Sequence, residues 1–358
     1  MPRVGIAEFL NVTRVLASGC LMQSAGNNRS FTARFQTALA TKMGVKHALA
    51  VNSGTSGLIA ALVAAGIGPG DEVLIPAYTW VSTAIAPLAV GAIPILVEID
   101  ETLTIDVADL ERKITPFTKA IIPVHMVNHV CCMDEIMMVA ARHKLIVIED
   151  ACQAVGVSYK GRRVGSIGDF GVFSFNHYKN ISSGEGGALL TNNAYFHERA
   201  TVYHDIGSYY EEYRNGVFDF VGCNLRVSEL TGAVLHAQLS KLDKHLTRLK
   251  RMRRKYLLSS KFAGTRPSPH HDVQNAVGLT FVFDTPEEAT RFAQKNRNVV
   301  VISDIKKYDY LSWLPVLERC RDDPRKDPYL SAKRDIQYSP EMCATTLGIL
   351  SRTCLVLK

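Results

Sequence analysis

The sequence predicts an α/β fold with a mainly parallel central sheet, helices on both faces of that sheet and a smaller C-terminal α+β domain. First, short runs of apolar, often β-branched residues recur in the N-terminal half, which is typical of strands buried inside a parallel sheet. Second, helical patterns and turn residues alternate with these runs, as expected for βαβ units. The apolar runs are His47–Val51, Val73–Pro76, Pro94–Glu98, Ala120–Val124, Leu145–Ile148 and Phe170–Phe175.

Length and composition indicate an ordinary globular protein. The chain has 358 residues, of which 47% are hydrophobic and 21% charged, enough for one large core and a second, smaller one. We predict a large domain at residues 1–240, which begins with a helical segment, and a small C-terminal domain at residues 241–358.

The net charge of +7 includes a cluster of basic residues between Lys241 and Lys255. Such a cluster is compatible with a nucleic-acid patch, but it follows a helical pattern without interleaved aromatic residues. A solvated helix face is therefore favoured. The net positive charge also suits anionic substrates.

The pattern of cysteines and the length of the apolar stretches bear on the cellular location of the protein. The eight cysteines are scattered, Cys131 and Cys132 are adjacent, and no CxxC pair occurs. This pattern indicates neither a disulfide framework nor a zinc site, so we expect a reducing, cytoplasmic environment. The N-terminus lacks a signal pattern, and the longest apolar stretch, Leu58–Ile67, is too short to span a bilayer.

Two helical stretches are predicted between Ala7 and Met43, around a turn at Gly26–Asn28. Apolar residues recur at helical spacing in the second stretch and indicate a face turned to the core. They are Phe31, Phe35, Leu39 and Met43.

A turn of small residues, Asn52–Gly57, separates the first predicted strand from a helix. Backbone N–H groups at the start of a helix, together with the helix dipole, attract anions, so this turn is a candidate anion site. Ordinary N-capping by Ser53 or Thr55 is the alternative reading. No GxGxxG follows a strand, which disfavours a dinucleotide site.

Two polar side chains follow predicted strands and point to chemistry. Asp150 ends the strand at Leu145–Ile148, and ligands bind at the carboxyl ends of strands in open α/β sheets. Helix N-capping is the alternative role for Asp150.

Lys179 follows the strand Phe170–Phe175 on a turn rich in glycine (Gly184, Gly186 and Gly187), where a desolvated lysine is nucleophilic at neutral pH. A surface lysine is the commoner alternative. An Asp and a Lys at strand ends form the pair that pyridoxal phosphate requires: the lysine forms the Schiff base and the carboxylate keeps the pyridinium nitrogen protonated.

Three aromatic or imidazole side chains are further candidates. Trp80 lies just past the strand Val73–Pro76, where its ring could stack on a planar cofactor, and a core tryptophan is the alternative. Tyr78 is a neighbouring candidate. His125 follows the strand Ala120–Val124, and a satisfied structural histidine is favoured there over a catalyst.

Several motifs in order resemble the DegT/DnrJ/StrS family of sugar aminotransferases: EDACQA, GSIGDFGVFSF, KNISSGEGGA and G-x-N-x-R-x-S-E-L. The resemblance extends from Phe9 to Asp243 and implies the fold-type I architecture of pyridoxal-phosphate enzymes, with the cofactor in the large domain. It implies catalytic roles for Lys179 and Asp150. The implied cofactor-binding residues are Gly54, Thr55, Trp80, Asp150, Gln153, Ser174, Lys179 and Asn224. No metal is implied.

The resemblance also assigns individual contacts. Gly54, Thr55 and Ser174 would hold the cofactor phosphate, and Gln153 would face its phenolic oxygen, with an exposed amide as the alternative for Gln153. Asn224 would reach the phosphate in a neighbouring subunit, which implies a homodimer with shared sites. In the family, the N-terminal segment wraps against that partner.

This chain departs from the family pattern at two positions and leaves one role open. Asn128 stands where the family commonly has Gly, and Val155 stands where many members have His. Arg226 would anchor an acidic substrate or form a structural salt bridge. The segment from Tyr203 to Phe220, with His204, Tyr209 and Tyr210, is predicted to be a loop of the kind that contacts substrates.

The C-terminal domain has a predicted strand, Gly278–Phe283, and a helix capped by Thr285, with Pro286 in its first turn and Glu288 completing a capping box. Helix and loop are expected from Asn298 to Ser339. The ending LSRTCLVLK resembles a family segment that normally precedes a closing strand, loop and helix, so we expect a small domain that is either truncated or divergent relative to the family.

The implied activity is transfer of an amino group from L-glutamate, or glutamine, to a keto or aldehyde sugar for a surface polysaccharide or lipopolysaccharide. Stretches such as VEIDETL and ITPFTKAI resemble the subgroup that makes 8-amino-3,8-dideoxy-octulosonate. A nucleotide-linked 4-keto-6-deoxyhexose is the alternative acceptor. The dehydrase branch has His in place of the lysine, so Lys179 argues against it. A catalytically silent homologue with a binding or regulatory role is the alternative of another class.

Overall fold

The computed structural model describes residues 4–22, 30–207, 220–320 and 322–357. The turn predicted at Gly26–Asn28 and the candidates Tyr209 and Tyr210 lie outside these residues.

Helices occur throughout the described residues. They are α1 Ile6–Ser18, α2 Phe31–Met43, α3 Gly54–Ala64, α4 Ser82–Ala89, α5 Val107–Arg112, α6 Met133–His143, α7 Ala194–His204, α8 Glu229–Leu257, α9 Pro286–Lys295, α10 Leu314–Leu317 and α11 Ala344–Ser351.

Strands alternate with these helices. They are β1 His47–Val51, β2 Glu72–Pro76, β3 Ile93–Val97, β4 Thr118–Ile121, β5 Ile146–Asp150, β6 Ser158–Tyr159, β7 Arg162–Arg163, β8 Phe170–Ser174, β9 Gly187–Thr191, β10 Asp205–Gly207, β11 Val221–Asn224, β12 Arg266–Pro267, β13 Thr280–Val282, β14 Val299–Val301 and β15 Thr353–Val356.

The chain forms two compact units, and the first contains Met1–Ile67 and Ile146–Leu246. Its sheet has the strand order β1-β9-β8-β5. Strands β5 and β8 are parallel, whereas β9 runs antiparallel to both β8 and β1. Every residue of β8 and β9 is buried, which explains why these strands are apolar on both faces.

The segment after β5 differs from the expected pattern of strands and crossover helices. The hairpin β6–β7 connects β5 to β8 in place of a helix. The residues directly after Asp150 form a turn, so Asp150 caps no helix and Gln153 does not lie one helical turn beyond it. This interpretation of the motif was wrong because a run of small residues is equally compatible with a turn.

The N-terminal helices of the first unit confirm the predicted core face. Phe31, Phe35, Leu39 and Met43 are all buried in α2. The start of α2 is held by Glu229, whose carboxylate accepts hydrogen bonds from the Ser30 hydroxyl and the Phe31 backbone N–H, both at 2.6 Å. A carboxylate at this end is stabilised by the helix dipole.

The second unit contains Gly68–Leu145 and Thr247–Lys358. It has the parallel strands β4-β2-β3 and a separate antiparallel sheet in the order β12-β13-β15-β14. Strand β15, from the end of the chain, lies between β13 and β14. Helix and loop were expected from Asn298 onward, but that segment also supplies β14, because its run of valines packs in the core with Phe281.

Helix α9 begins close to where it was predicted. The Thr285 hydroxyl accepts a hydrogen bond from the Glu288 backbone N–H at 3.3 Å, so the predicted cap is confirmed. The Glu288 carboxylate, however, accepts from the backbone N–H of Asp284 rather than that of Thr285. The reciprocal half of the capping box is therefore displaced by one residue.

The basic cluster on α8 is less solvated than expected. Lys241 pairs with the buried Glu8 in the first unit. In the second unit, the Arg253 side chain donates to the Gly278 carbonyl at 3.0 Å and Lys250 donates to Asn275 at 3.0 Å. These cations thus stabilise the packing of α8. Among the described residues, none of the helices combines the length and apolar character needed to cross a bilayer.

Candidate active site

The carboxyl end of β5 places Asp150 in a buried turn. Asp150 is 5% exposed, and its Oδ1 accepts a hydrogen bond from the Cys152 backbone N–H at 3.2 Å. The next backbone N–H, of Ala151, donates to the Val172 carbonyl on β8 at 3.0 Å. The turn is therefore tied to the neighbouring parallel strand, and the carboxylate lies at the strand end, as predicted.

Glu149, one residue earlier, is fully buried and is held differently. Its carboxylate accepts hydrogen bonds from the backbone N–H groups of Gly165, Ile167 and Gly168 at 2.6–2.8 Å. Buried charges require such compensation. Glu149 thus fixes the turn that leads into β8.

The turn before α3 approaches the end of β8 closely. Ser53 caps the helix by accepting a hydrogen bond from the Ser56 backbone N–H at 3.1 Å, so the capping role is confirmed for Ser53. At Gly54, a Cβ atom would lie 2.7 Å from the Cys152 Sγ and 3.0 Å from the Ser174 Cβ, so a side chain has no room there. Thr55 follows as the second residue of α3. This helix start, without a side chain at Gly54, forms a cradle lined by backbone N–H groups.

The lysine turn begins directly after β8. The Lys179 backbone N–H donates to the Asn176 carbonyl at 3.0 Å, and the Lys179 side chain is half-buried. The Asn180 side chain donates to the Val155 carbonyl at 3.0 Å, which links the lysine turn to the segment after Asp150. Gly184 (φ 89°) and Gly186 (φ 148°) adopt backbone conformations that favour glycine.

Cys152 lies next to two of these predicted residues, Gly54 and Asp150. Burial and the charge of Asp150 raise the pKa of the Cys152 thiol well above its usual value, while the charge of Lys179 lowers it. The sulfur lies against Gly54, and the turn that bears Lys179 is bonded to the segment that contains Cys152. The structure brings Gly54, Asp150, Ser174 and Lys179 into one region of the first unit.

Asn224 ends β11 close to this region. The Asn52 backbone N–H donates to the Leu225 carbonyl at 2.9 Å, which places the end of β11 beside the turn that precedes α3. The Asn224 side chain is exposed. Arg226 forms an ion pair with Asp205, the structural salt bridge that was one of its two predicted roles. Gln153 is half-buried in the turn after Asp150.

His204 is the described histidine of the predicted substrate loop, and it ends helix α7 instead. Its ring is buried, and burial lowers its pKa to about 4. A neutral, buried imidazole is a packing residue, so the loop interpretation was wrong for this position.

The second unit contains Trp80, Tyr78 and His125. Trp80 is 45% exposed, so it is not a core tryptophan, whereas Tyr78 is buried. His125 is fully buried, and its Nδ1 accepts a hydrogen bond from the Cys131 backbone N–H at 3.2 Å, which confirms the structural role favoured for it. Asn128 has φ 65°, the left-handed conformation that asparagine tolerates better than most residues, so it can stand where the family commonly has glycine.

Three residues of the region were not singled out as candidates from the sequence: Glu149, Cys152 and Asn180. All three lie inside the motifs EDACQA and KNISSGEGGA, but no hydrophobic periodicity distinguishes them from their neighbours. The hydrogen-bond partners of Glu149 and Asn180 are backbone groups distant along the chain, and Cys152 lies against the distant Gly54, so only their position near Asp150 or Lys179 offered a signal.

Comparison with known proteins yields a family and several relatives. Residues 3–301 match the profile of the DegT/DnrJ/EryC1/StrS aminotransferase family. The chain is 44% identical over 223 residues to a GDP-perosamine synthase of Caulobacter vibrioides, covering 62% of this chain and 60% of that protein. It is 40% identical over 257 residues to the spore coat polysaccharide biosynthesis protein SpsC of Bacillus subtilis (68% and 64%). It is 39% identical over 253 residues to an L-glutamine:2-deoxy-scyllo-inosose aminotransferase of Micromonospora echinospora (68% and 60%). The matched part thus spans less than two thirds of these relatives.

Solved structures agree on the fold. The structure of 3-amino-5-hydroxybenzoic acid synthase superposes with a TM-score of 0.79 at 27% identity, covering 99% of this chain and 91% of that one. The S. venezuelae protein DesV, solved in complex with a ketimine intermediate, superposes with a TM-score of 0.77 at 28% identity, covering 98% of this chain and 88% of that one. These similarities confirm the predicted α/β class.

Proposed function

Because the chain belongs to the DegT/DnrJ/EryC1/StrS aminotransferase family, we propose that it transfers an amino group from an amino acid to a keto or aldehyde sugar, with pyridoxal 5'-phosphate as cofactor. The observation that carries the proposal is a cluster of contacts: Gly54 lies against both Cys152 and Ser174, the Asp150 carboxylate accepts a hydrogen bond from Cys152, and the turn that bears Lys179 is bonded to the same segment.

The residues present fit this cofactor. The start of α3 offers backbone N–H groups and the positive end of a helix dipole, and a Cβ at Gly54 would fill the cradle. Thr55 and Ser174 add hydroxyl groups for a phosphate. Asp150 supplies a buried carboxylate for a ring nitrogen, and Lys179 supplies an amine for a carbonyl carbon. Gln153, Asn224 and Trp80 complete the proposed set by family resemblance.

Pyridoxal phosphate, when bound, supplies a carbonyl carbon that links to amino groups and a ring that accepts electrons. Lys179 Nζ would hold this group covalently and, once displaced by an amino donor, would take up and return a proton as general acid and base. The Asp150 carboxylate would hold a proton on the ring nitrogen, and its fixation by the Cys152 N–H keeps it in place.

The acceptor class is a finer proposal with two candidates. The proposal of an octulosonate sugar as acceptor rests on the resemblance of stretches such as VEIDETL and ITPFTKAI to that subgroup. The similarity to a GDP-perosamine synthase supports a nucleotide-linked sugar instead. For the donor, L-glutamate is our first proposal, and the similarity to an L-glutamine-dependent enzyme supports testing glutamine beside it.

The test is a visible absorption spectrum of the protein with pyridoxal phosphate, before and after each donor. We expect a band from the covalently held cofactor, and we expect the donor to replace it with the pyridoxamine form. Borohydride reduction followed by peptide mass mapping should place the cofactor on Lys179. Lys179→Ala should abolish that link, whereas the exposed control Lys46→Ala should retain it.

A spectrum with no bound cofactor would contradict the proposal and favour the silent homologue. If the pyridoxamine form accumulates, sugar acids and nucleotide-linked keto sugars can be compared directly as acceptors, and return of the original band identifies the class.

We also propose a homodimer with shared sites. Helix α1 carries exposed apolar side chains, including Ile6 (78% exposed), Phe9 (68%) and Leu16 (59%). Contiguous exposed apolar residues are typical of interaction surfaces. Light scattering should give twice the chain mass. Phe9→Glu should shift the protein toward monomer, whereas Leu330→Glu, at a position that is also exposed (72%), should not.

A further inference from the structure

Trp80 contacts an aromatic residue from a distant part of the second unit. The ring of Tyr308 meets the ring of Trp80 at a centroid distance of 6.1 Å and an interplanar angle of 63°. Tyr308 also meets Tyr78 edge-on, at 6.4 Å and 87°. Edge-to-face contacts of this kind restrict ring orientation and stabilise by about 0.5–1.5 kcal/mol beyond the burial of area.

The backbone holds the two segments together. The Thr79 N–H donates to the Tyr308 carbonyl at 2.7 Å, and the Tyr310 N–H donates to the Ala77 carbonyl at 2.9 Å. Between these bonds, Tyr78 and Asp309 form an isolated antiparallel bridge. These contacts use backbone atoms, so they do not depend on the Tyr308 side chain.

Burial differs along this pairing. Tyr78 is 1% exposed and belongs to an apolar cluster with Val124 and Ile302, against which Tyr308 packs as a half-buried residue. Trp80 is 45% exposed. One side of the Tyr308 ring therefore packs against this buried cluster, and another side contacts the ring of Trp80. Tyr308 thus links the half-exposed indole of Trp80 to the core.

We propose that Tyr308 is a positioning residue that sets the orientation of Trp80 for stacking on the cofactor ring. This inference rests on the proposed function, which assigns the stacking role to Trp80. Tyr308 acts through Trp80, and it does so by limiting the rotamers of an indole that is otherwise half open to solvent.

The first experiment needs no cofactor. The chain has two tryptophans, and Trp313 is buried, at 2% exposure. Acrylamide quenching of fluorescence therefore reports mainly on Trp80. Tyr308→Leu, which keeps apolar bulk but removes the ring, should increase quenching, and Tyr308→Phe should leave it unchanged. Equal quenching in all three proteins would overturn the proposal.

The second experiment measures the affinity for pyridoxal phosphate by absorbance titration. Tyr308→Leu should weaken binding by about three- to tenfold, the equivalent of one aromatic contact, whereas Tyr308→Phe should bind like the wild type. In a Trp80→Leu background, Tyr308→Leu should have little further effect, because its partner is already absent.

The outcomes separate the two proposals. Additive effects of the two Leu substitutions would show that Tyr308 is merely structural and would overturn the positioning role while leaving the proposed function intact. A wild-type chain that binds no pyridoxal phosphate would overturn the proposed function, and the cofactor role of Tyr308 with it. Thermal unfolding of each variant without cofactor checks that the fold is retained.

Discussion

The Asn180 side-chain amide donates a hydrogen bond of 3.0 Å to the backbone carbonyl of Val155. One partner directly follows Lys179, and the other belongs to the turn that begins at Asp150. This bond joins the two segments that carry the proposed catalytic residues, although Val155 stands where many family members have histidine.

We predict that Asn180→Ala weakens pyridoxal phosphate binding by about five- to tenfold, since a net hydrogen bond contributes about 1 kcal/mol. Asn180→Asp should weaken it further, because a carboxylate oxygen would face the carbonyl. Absorbance titration measures both effects. Asn192→Ala, which removes an exposed side chain that bonds the Lys46 backbone N–H, is the matched control. Unchanged affinity in Asn180→Asp would contradict this role.

Gly54 leaves room for the Cys152 sulfur. We predict that Gly54→Ala reduces the affinity for pyridoxal phosphate by more than about tenfold, because the new Cβ would lie 2.7 Å from that sulfur. Cys152→Ala alone should have little effect. The double variant Gly54→Ala/Cys152→Ala should recover part of the affinity, since the clash with the sulfur is gone. A double variant no better than Gly54→Ala would show that the close contact with Ser174 dominates.

Glu149 stabilises the turn before β8. We predict that Glu149→Gln lowers the free energy of unfolding by about 2–3 kcal/mol, because the NH₂ group that replaces one carboxylate oxygen cannot accept a hydrogen bond, so at least one of the three buried backbone N–H groups loses its acceptor. Urea denaturation followed by circular dichroism measures the change. Glu198→Gln, at an exposed position on α7, should change stability by less than about 0.5 kcal/mol. Equal effects of the two substitutions would rule out the predicted contribution of Glu149.

His270 makes the stability of the second unit depend on pH. Burial, followed by the charge of Arg253, lowers the pKa of His270 from 6.5 to about 4, and His270 stacks on the buried His129 at 4.1 Å. The pKa of His129 is also lowered, mainly by burial. The unfolded chain therefore binds protons at a higher pH than the folded chain. The resulting stability is fully present above about pH 6.5 and is lost as the pH falls toward 4.

We therefore predict that His270→Gln flattens the decline of the unfolding free energy between pH 6.5 and pH 4, by an amount on the order of 2 kcal/mol over that window. Urea denaturation at several pH values gives the slope. The exposed His143→Gln serves as the control and should retain the wild-type slope. Parallel slopes for all three proteins would refute the assignment.

Local patterns determined much of the fold. The apolar runs at Leu145–Ile148 and Phe170–Phe175 correspond to β5 and β8. The helix predicted from Leu58 begins earlier, at Gly54, so only the first part of the predicted turn Asn52–Gly57 lies outside α3. Such features follow from side-chain periodicity and turn chemistry over a few residues. The same patterns placed Asp150 at a strand end and Lys179 just past another, where the structure has them.

Tertiary structure decided what those elements meet. The turn after Asp150 looked equally compatible with a helix. The contact of Gly54 with Cys152 depends on how β1, β9, β8 and β5 align. The insertion of β15 between β13 and β14 depends on segments some 70 residues apart along the chain. The partners of Glu149, Asn180 and Tyr308 likewise lie far from them in sequence or belong to the backbone. Local propensity reports only on neighbouring residues, whereas these contacts arise from the burial of surfaces that meet when the whole chain folds.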